Sequence, residues 1–155
     1  MRIRRFEAAD APVVSELIQT TMRVSNAKDY PPELLAGVIA RPRPEDVLER
    51  AGWTHFYVAV EGGRIVGCGA IGPYWGSETE SSLFSIFVLP ECQGRGVGRA
   101  VIEALERDDF FLRARRVEIP ASITAVEFYK KMGYAPKPGV EQPDEEGLYR
   151  LEKRR

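Results

Sequence analysis

Histidine occurs once and cysteine twice in this chain. Cys68 and Cys92 lie far apart, with no second Cys or His at ligand spacing, so neither a zinc site nor a disulfide framework is expected. Charge of one sign is equally scarce. The 22 basic and 23 acidic residues leave a net charge of −1, without the basic excess that a nucleic-acid partner requires. No apolar run approaches the roughly 18 residues of a membrane span. The N-terminus passes from Met-Arg-Ile-Arg-Arg-Phe straight to Glu7 and Asp10, without a signal-peptide core. The expectation is a cytoplasmic chain that engages neither nucleic acid nor membrane. Its 155 residues match one domain over 1–155 with no linker, and a homodimer is the default assembly.

Glycine, by contrast, is concentrated where it matters. The apolar run Leu83-Phe-Ser-Ile-Phe-Val-Leu-Pro90 empties into Glu91-Cys-Gln-Gly-Arg-Gly-Val-Gly-Arg99 and then a helical pattern. Glycines at 94, 96 and 98 remove Cβ atoms, so consecutive N–H groups can converge on phosphate oxygens at a helix N-terminus. Arg95 and Arg99 add positive charge. A dinucleotide fingerprint needs G-x-G-x-x-G in a leading strand–helix unit, and these glycines run G-x-G-x-G near mid-chain. A nucleotide P-loop needs Gly-Lys-Ser/Thr where Gly98-Arg99-Ala100 stands. Cys92 beside the loop is a candidate nucleophile, weighed against simple packing.

Around this loop the patterns predict a strand at 2–6 and a helix capped by Asp10, with Val14, Leu17, Ile18 and Thr21 on one face. Helical pieces follow at 33–40 and 45–50. Strands at 54–60 and 64–71 are joined by Glu61-Gly-Gly63, a hairpin signal. A strand at 81–89 reads as covered on both faces, and Val101, Ile102, Leu105 and Leu112 mark one amphipathic helix. A strand at 117–120 precedes a helix capped by Ser122 or Thr124 and stopped by Gly133, and a last strand covers 147–152. The order describes an α/β chain with a mixed sheet and helices on both faces.

Gln93-x-x-Gly96-x-Gly98, preceded by Val88-Leu-Pro90, and Ala125-Val-Glu-Phe128-Tyr129-Lys-Lys-Met-Gly133-Tyr134 together resemble the two signatures of the GNAT superfamily of N-acetyltransferases. The resemblance spans nearly all of the chain. It implies the acyl-CoA N-acyltransferase fold, a central mixed sheet splayed between its fourth and fifth main strands. It implies acetyl-CoA as co-substrate and transfer of the acetyl group to a primary amine of a small molecule or protein by direct attack. Its pyrophosphate would rest on Gly94, Arg95, Gly96, Val97, Gly98 and Arg99, with Gln93 of the motif also a cofactor-binding candidate, and its pantetheine would pair like an added strand with Phe87 and Val88. Ser122 stands where many relatives hold the pantetheine with asparagine, and helix capping is its plain alternative. Phe128 packs beside the cofactor or in the core.

Tyr129 aligns with the family's frequent general acid, and its alternative is core packing. The family's strand carboxylate falls on Ser82, which cannot accept a proton. Glu80, two residues earlier on the same face, is therefore the candidate base, acting through water. Glu78 and His55 are weaker candidates, better explained as a solvated charge and a satisfied strand-end residue. Tyr30, Tyr74, Trp75 and Tyr134 are candidates to wall an acceptor pocket, with Asp29, Glu78 and Glu80 to attract a cation. The missing carboxylate at 82 keeps a second reading open, a non-catalytic acyl-CoA-binding sensor.

Overall fold

In the computed structural model, which describes residues 1–26, 43–144 and 147–155, the chain forms strands β1 (Arg2–Arg5), β2 (His55–Glu61), β3 (Arg64–Pro73), β4 (Glu80–Val88), β5 (Arg116–Ser122), β6 (Ala135–Pro136) and β7 (Leu148–Arg154). Helices α1 (Ala11–Thr21), α2 (Pro44–Trp53), α3 (Val97–Leu105), α4 (Asp109–Leu112) and α5 (Val126–Lys131) connect them. The strands make one mixed sheet in the order β1-β2-β3-β4-β5-β7-β6. The hairpin signal at 61–64 is met as expected. Gly62 and Gly63 take φ of +57° and +78°, the two left-handed positions that a two-residue turn of matching twist demands.

Two junctions position the site. β4 pairs with β5 in parallel over only Glu80–Arg116, Ser81–Val117 and Ser82–Glu118, so beyond Ser82 one edge of β4 faces no strand among the described residues. On its other edge β4 slips register against β3 between Cys68 and Ala70, and Ser85 sits in the bulge at φ +53°. A bulge re-aims the backbone locally. Leu83 is fully buried, yet Phe84 to Val88 are only half-buried. The second half of β4 is thus not covered on both faces, because the splay uncovers it.

α3 lies close against β3. A Cβ built on Gly67 would stand 2.9 Å from Val97 Cγ1, and one on Gly69 would stand 2.6 Å from Val101 Cγ1. Gly72 faces the opposite way, against Thr54 and Trp53 at the end of α2. Gly69→Val is therefore expected to cost about 3 kcal/mol through overpacking. Gly52→Ala, whose Cβ meets nothing within 4 Å in helix α2, should gain roughly 0.5–1 kcal/mol. Urea unfolding of the two variants checks both signs.

Several local expectations give way to tertiary context. The Asp10 side chain does not cap α1. It accepts from the Glu7 N–H at 2.8 Å and pairs with Arg4 at 2.9 Å, an arrangement that fixes the preceding turn. α3 stops at Leu105, and Leu112 belongs to a separate turn, α4, where it is exposed. Asp108 makes that break by accepting from the Phe110 N–H. Neither Ser122 nor Thr124 is the N-cap of α5. Ala125 holds that place without a side-chain bond, because β5 runs on to Ser122. The helix expected at 33–40, together with Asp29 and Tyr30, falls outside the described residues.

Candidate functional site

The glycine loop begins where β4 ends and α3 starts. Gly94 and Gly96 take φ of +77° and +86°, and a Cβ on either would meet nothing within 4 Å. Gly98 differs: its Cβ would lie 3.1 Å from Phe128 Cζ. The first two glycines thus leave open space over the loop, and the third admits a ring from α5. None of the N–H groups from Gly94 to Arg99 finds an acceptor in hydrogen-bond geometry among the described residues. Six consecutive donors at a helix N-terminus form an anion site by construction.

The side chains around the loop divide their work. Gln93 donates to Ser25 Oγ at 2.9 Å and to the Val88 carbonyl at 3.0 Å, strapping the end of β4 to the first helical layer. Arg95 is drawn to Glu61 at 2.5 Å, so much of its charge is answered within the protein. Arg99 is exposed with no ion pair among the described residues and remains available to an anion. Cys92 is buried, packed beneath the loop.

Below the loop, Cys68 spans the bulge of β4. Its thiol donates to the Ser85 carbonyl at 3.2 Å and accepts from the Phe87 N–H. Burial pushes that thiol up to about 12, so it stays protonated. Tyr129 on α5 is buried too, its ring 5.3 Å from that of Phe128. Its hydroxyl has no hydrogen-bond partner among the described residues. Burial, with the Cys68 sulfur nearby, raises its pKa, so it keeps its proton through the neutral range. Ser122 Oγ is likewise uncommitted, at the end of β5 across the splay.

Glu80 is brought to a different neighbourhood. Its carboxylate accepts from Arg116 at 3.1 and 3.5 Å, and that guanidinium holds it below the usual carboxylate range. Arg116 is buried and also bonds Glu118 at 2.9 Å and Glu152 at 3.0 Å. Arg116→Met is expected to destabilise the fold by about 3–5 kcal/mol, because it strands buried carboxylates. The sign with pH follows from the lowered Glu80 pKa. The contribution is complete above the ordinary carboxylate value and disappears as pH falls through the folded one. The gap between wild type and variant is therefore widest near neutrality and narrows in acid, which melting curves at several pH values check.

Ser82 is buried and lines a cavity of about 590 Å³ beside the start of the splay, together with Trp53, Pro73, Tyr74, Trp75, Gly76, Phe84 and Arg150. Tyr74 and Trp75 fall where the pocket was expected, whereas Tyr134 does not. Tyr134 is buried elsewhere, its hydroxyl donating to Glu106 at 2.9 Å under Lys153. Glu78 is exposed. His55 is engaged with Asp108 at 2.8 Å beside the cap of α4. The sequence reading missed Trp53, Phe84 and Arg150, which only the fold brings together, and the buried Arg116–Glu118–Glu152 group. The alternation of charge in Arg116-Val-Glu118-Ile, inside an otherwise apolar strand, is the signal that points to the latter.

Comparison with known proteins agrees with this geometry. Residues 52–136 match the acetyltransferase (GNAT) domain. An uncharacterized N-acetyltransferase of Methanocaldococcus jannaschii is 29% identical over 142 residues, covering 86% of this chain and 78% of that protein. The fold is that of the PaiA N-acetyltransferase from Thermoplasma acidophilum in complex with coenzyme A, with TM-score 0.83 at 15% identity and coverage of 99% and 98%. A GCN5-related N-acetyltransferase from Rhodopseudomonas palustris superposes with TM-score 0.78 at 22% identity, over 99% and 95% of the two chains. No helix among the described residues is long and apolar enough to cross a membrane. With the domain match covering the glycine loop, the splayed strands and α5, the chain belongs to the GNAT acetyltransferase family.

Proposed function

We propose that this acyltransferase moves an acetyl group from acetyl-CoA to a primary amine by direct attack, and that the residues gathered at the splay perform the transfer. The observation that carries the reading is the row of six amides at 94–99 with no acceptor among the described residues, continuous with the open edge of β4. Acetyl-CoA fits both, and it supplies the activated acyl group. The loop amides and Arg99 hold its pyrophosphate, and its pantetheine lies along Phe87 and Val88 as an added strand, taking its backbone bond from the Val88 N–H because the Phe87 N–H is already given to Cys68. Phe128 and Ser122 border that slot. The Val88 N–H also stabilises the charge that develops on the thioester oxygen.

Tyr129 gives its hydroxyl proton to the coenzyme sulfur as the C–S bond breaks and the C–N bond forms, and the amine proton lost in attack restores the balance. Glu80, clamped by Arg116, serves as a weak base that passes the amine's first proton to solvent through water. A weak base suffices for an acceptor with an appreciable neutral fraction. The clamp also supports the second reading, an acyl-CoA-binding sensor without turnover. Cytoplasmic location and a homodimer follow from composition and from the prevalence of two-fold assemblies. Thiol release from acetyl-CoA, measured across a panel of amines, separates the two readings. Amine-dependent release supports the enzyme, and tight binding without release on any amine supports the sensor.

A further inference from the structure

The cavity beside Ser82 has a chemistry of its own. Trp53, Tyr74, Trp75 and Phe84 supply aromatic surface, and Arg150 supplies the charge. Trp53 and Phe84 meet edge to face at 5.2 Å. Trp75 is 90% exposed in a left-handed conformation, φ 49° and ψ 42°. An exposed tryptophan held in a conformation that disfavours it is a surface kept for something to cover. Trp75 and Ser85 are the two positive-φ residues other than glycine among those described. One rims this cavity, and the other bends β4 next to it.

Among the described residues that line the cavity, Arg150 alone is charged. Arg150 spends Nε and Nη2 on Asp144 at 3.1 and 2.7 Å. Its Nη1 has only a 3.6 Å approach to Glu118, too long for a hydrogen bond. Arg50 lies over the rings of Phe84 and Trp53 at 4.5 and 5.5 Å, desolvated, in no ion pair among the described residues and attracted only at longer range by Glu49. Arg116 and Lys137 stand over Tyr74 at 4.8 and 5.7 Å. No carboxylate among the described residues lines the cavity; Glu80, Glu118 and Asp144 are each already bound to a neighbouring cation.

Resting on the acetyltransferase reading, we propose that the acceptor is a monoamine with a flat apolar or aromatic body and a carboxylate, the body lying on Trp75 and Phe84 and the carboxylate on Arg150 Nη1. A polycationic acceptor, such as a polyamine, meets no acid among the described lining residues to offset its charges and is disfavoured. The apolar wall disfavours a hydroxylated sugar, whose buried hydroxyls would lack partners.

The test measures acetyl-CoA-dependent thiol release with an aromatic amino acid, its carboxamide, an aliphatic amino acid and spermidine. The aromatic amino acid is expected to show the highest kcat/KM, its carboxamide to fall about tenfold or more for loss of a charge-assisted pair, and spermidine to be poorest. Arg150→Gln should raise KM for the amino acid about tenfold and leave the carboxamide unchanged. Trp75→Ala, which removes no packed core, should raise KM for both aromatic acceptors. Acetyl-CoA binding measured by titration should hold in each variant. Equal turnover of acid and carboxamide, or preference for spermidine, overturns the acceptor class and leaves the acetyltransferase reading standing. Acetyl-CoA binding with no turnover of any amine overturns both.

Discussion

Gly96→Glu is expected to weaken acetyl-CoA binding by more than about 100-fold, as measured by calorimetric titration. Two effects act together. A Cβ at position 96 meets nothing within 4 Å, beside six amides with no acceptor among the described residues, so the new side chain enters space that a pyrophosphate on those amides would need. Its carboxylate also competes for those donors and repels the ligand. A loss of about 3 kcal/mol is ordinary for placing like charges in contact at a partly desolvated site. Backbone strain is separated by Gly96→Ala. At φ +86° alanine should cost about 1–2 kcal/mol of stability and retain most of the affinity. Equal losses in the two variants would assign the effect to strain.

Tyr129→Phe is expected to lower kcat about 100-fold, the ordinary scale for a positioned proton donor, with acetyl-CoA affinity within about twofold of wild type. The substitution is clean because the hydroxyl bonds to no described residue. The phenyl ring keeps its place against Phe128, so melting should be unchanged or slightly raised. Burial keeps the proton on oxygen through neutral pH, so activity at pH 7–9 should carry no loss from tyrosine ionisation. If Tyr129 only packs, the variant will match wild type in kcat. Steady-state kinetics with saturating acetyl-CoA distinguishes the two.

What was legible in the sequence is what short-range chemistry determines. The Gly62-Gly63 hairpin, the helix stop at Gly133 and the loop at 94–99 are set by φ that only glycine adopts easily, and each stands where its residues said. Asp10 and Leu112 show the limit. Each satisfied a local rule, yet Arg4 in one case and the Asp108 cap in the other offered a better partner. Gly98 reads from the sequence as a ligand contact with its neighbours, and Phe128, thirty positions on, adds a packing reason for its missing Cβ that no local pattern shows. The Cys68 bond across the bulge joins residues 17 positions apart, and Arg150 reaches the cavity only because β7 pairs with β5. No window along the chain contains those relations. The acceptor side of the site is built from several separate segments, whereas the donor side is nearly one continuous stretch, and this is why acetyl-CoA was legible and the acceptor was not.

One loop and one open strand edge are proposed to hold acetyl-CoA. A crystal structure of the complex tests it most directly. The complex is expected to show the pyrophosphate on the amides of 94–99 and the pantetheine against Phe87 and Val88, in the gap between β4 and β5, with the thioester facing Tyr129. Coenzyme bound elsewhere, with those six amides left to solvent, would contradict it.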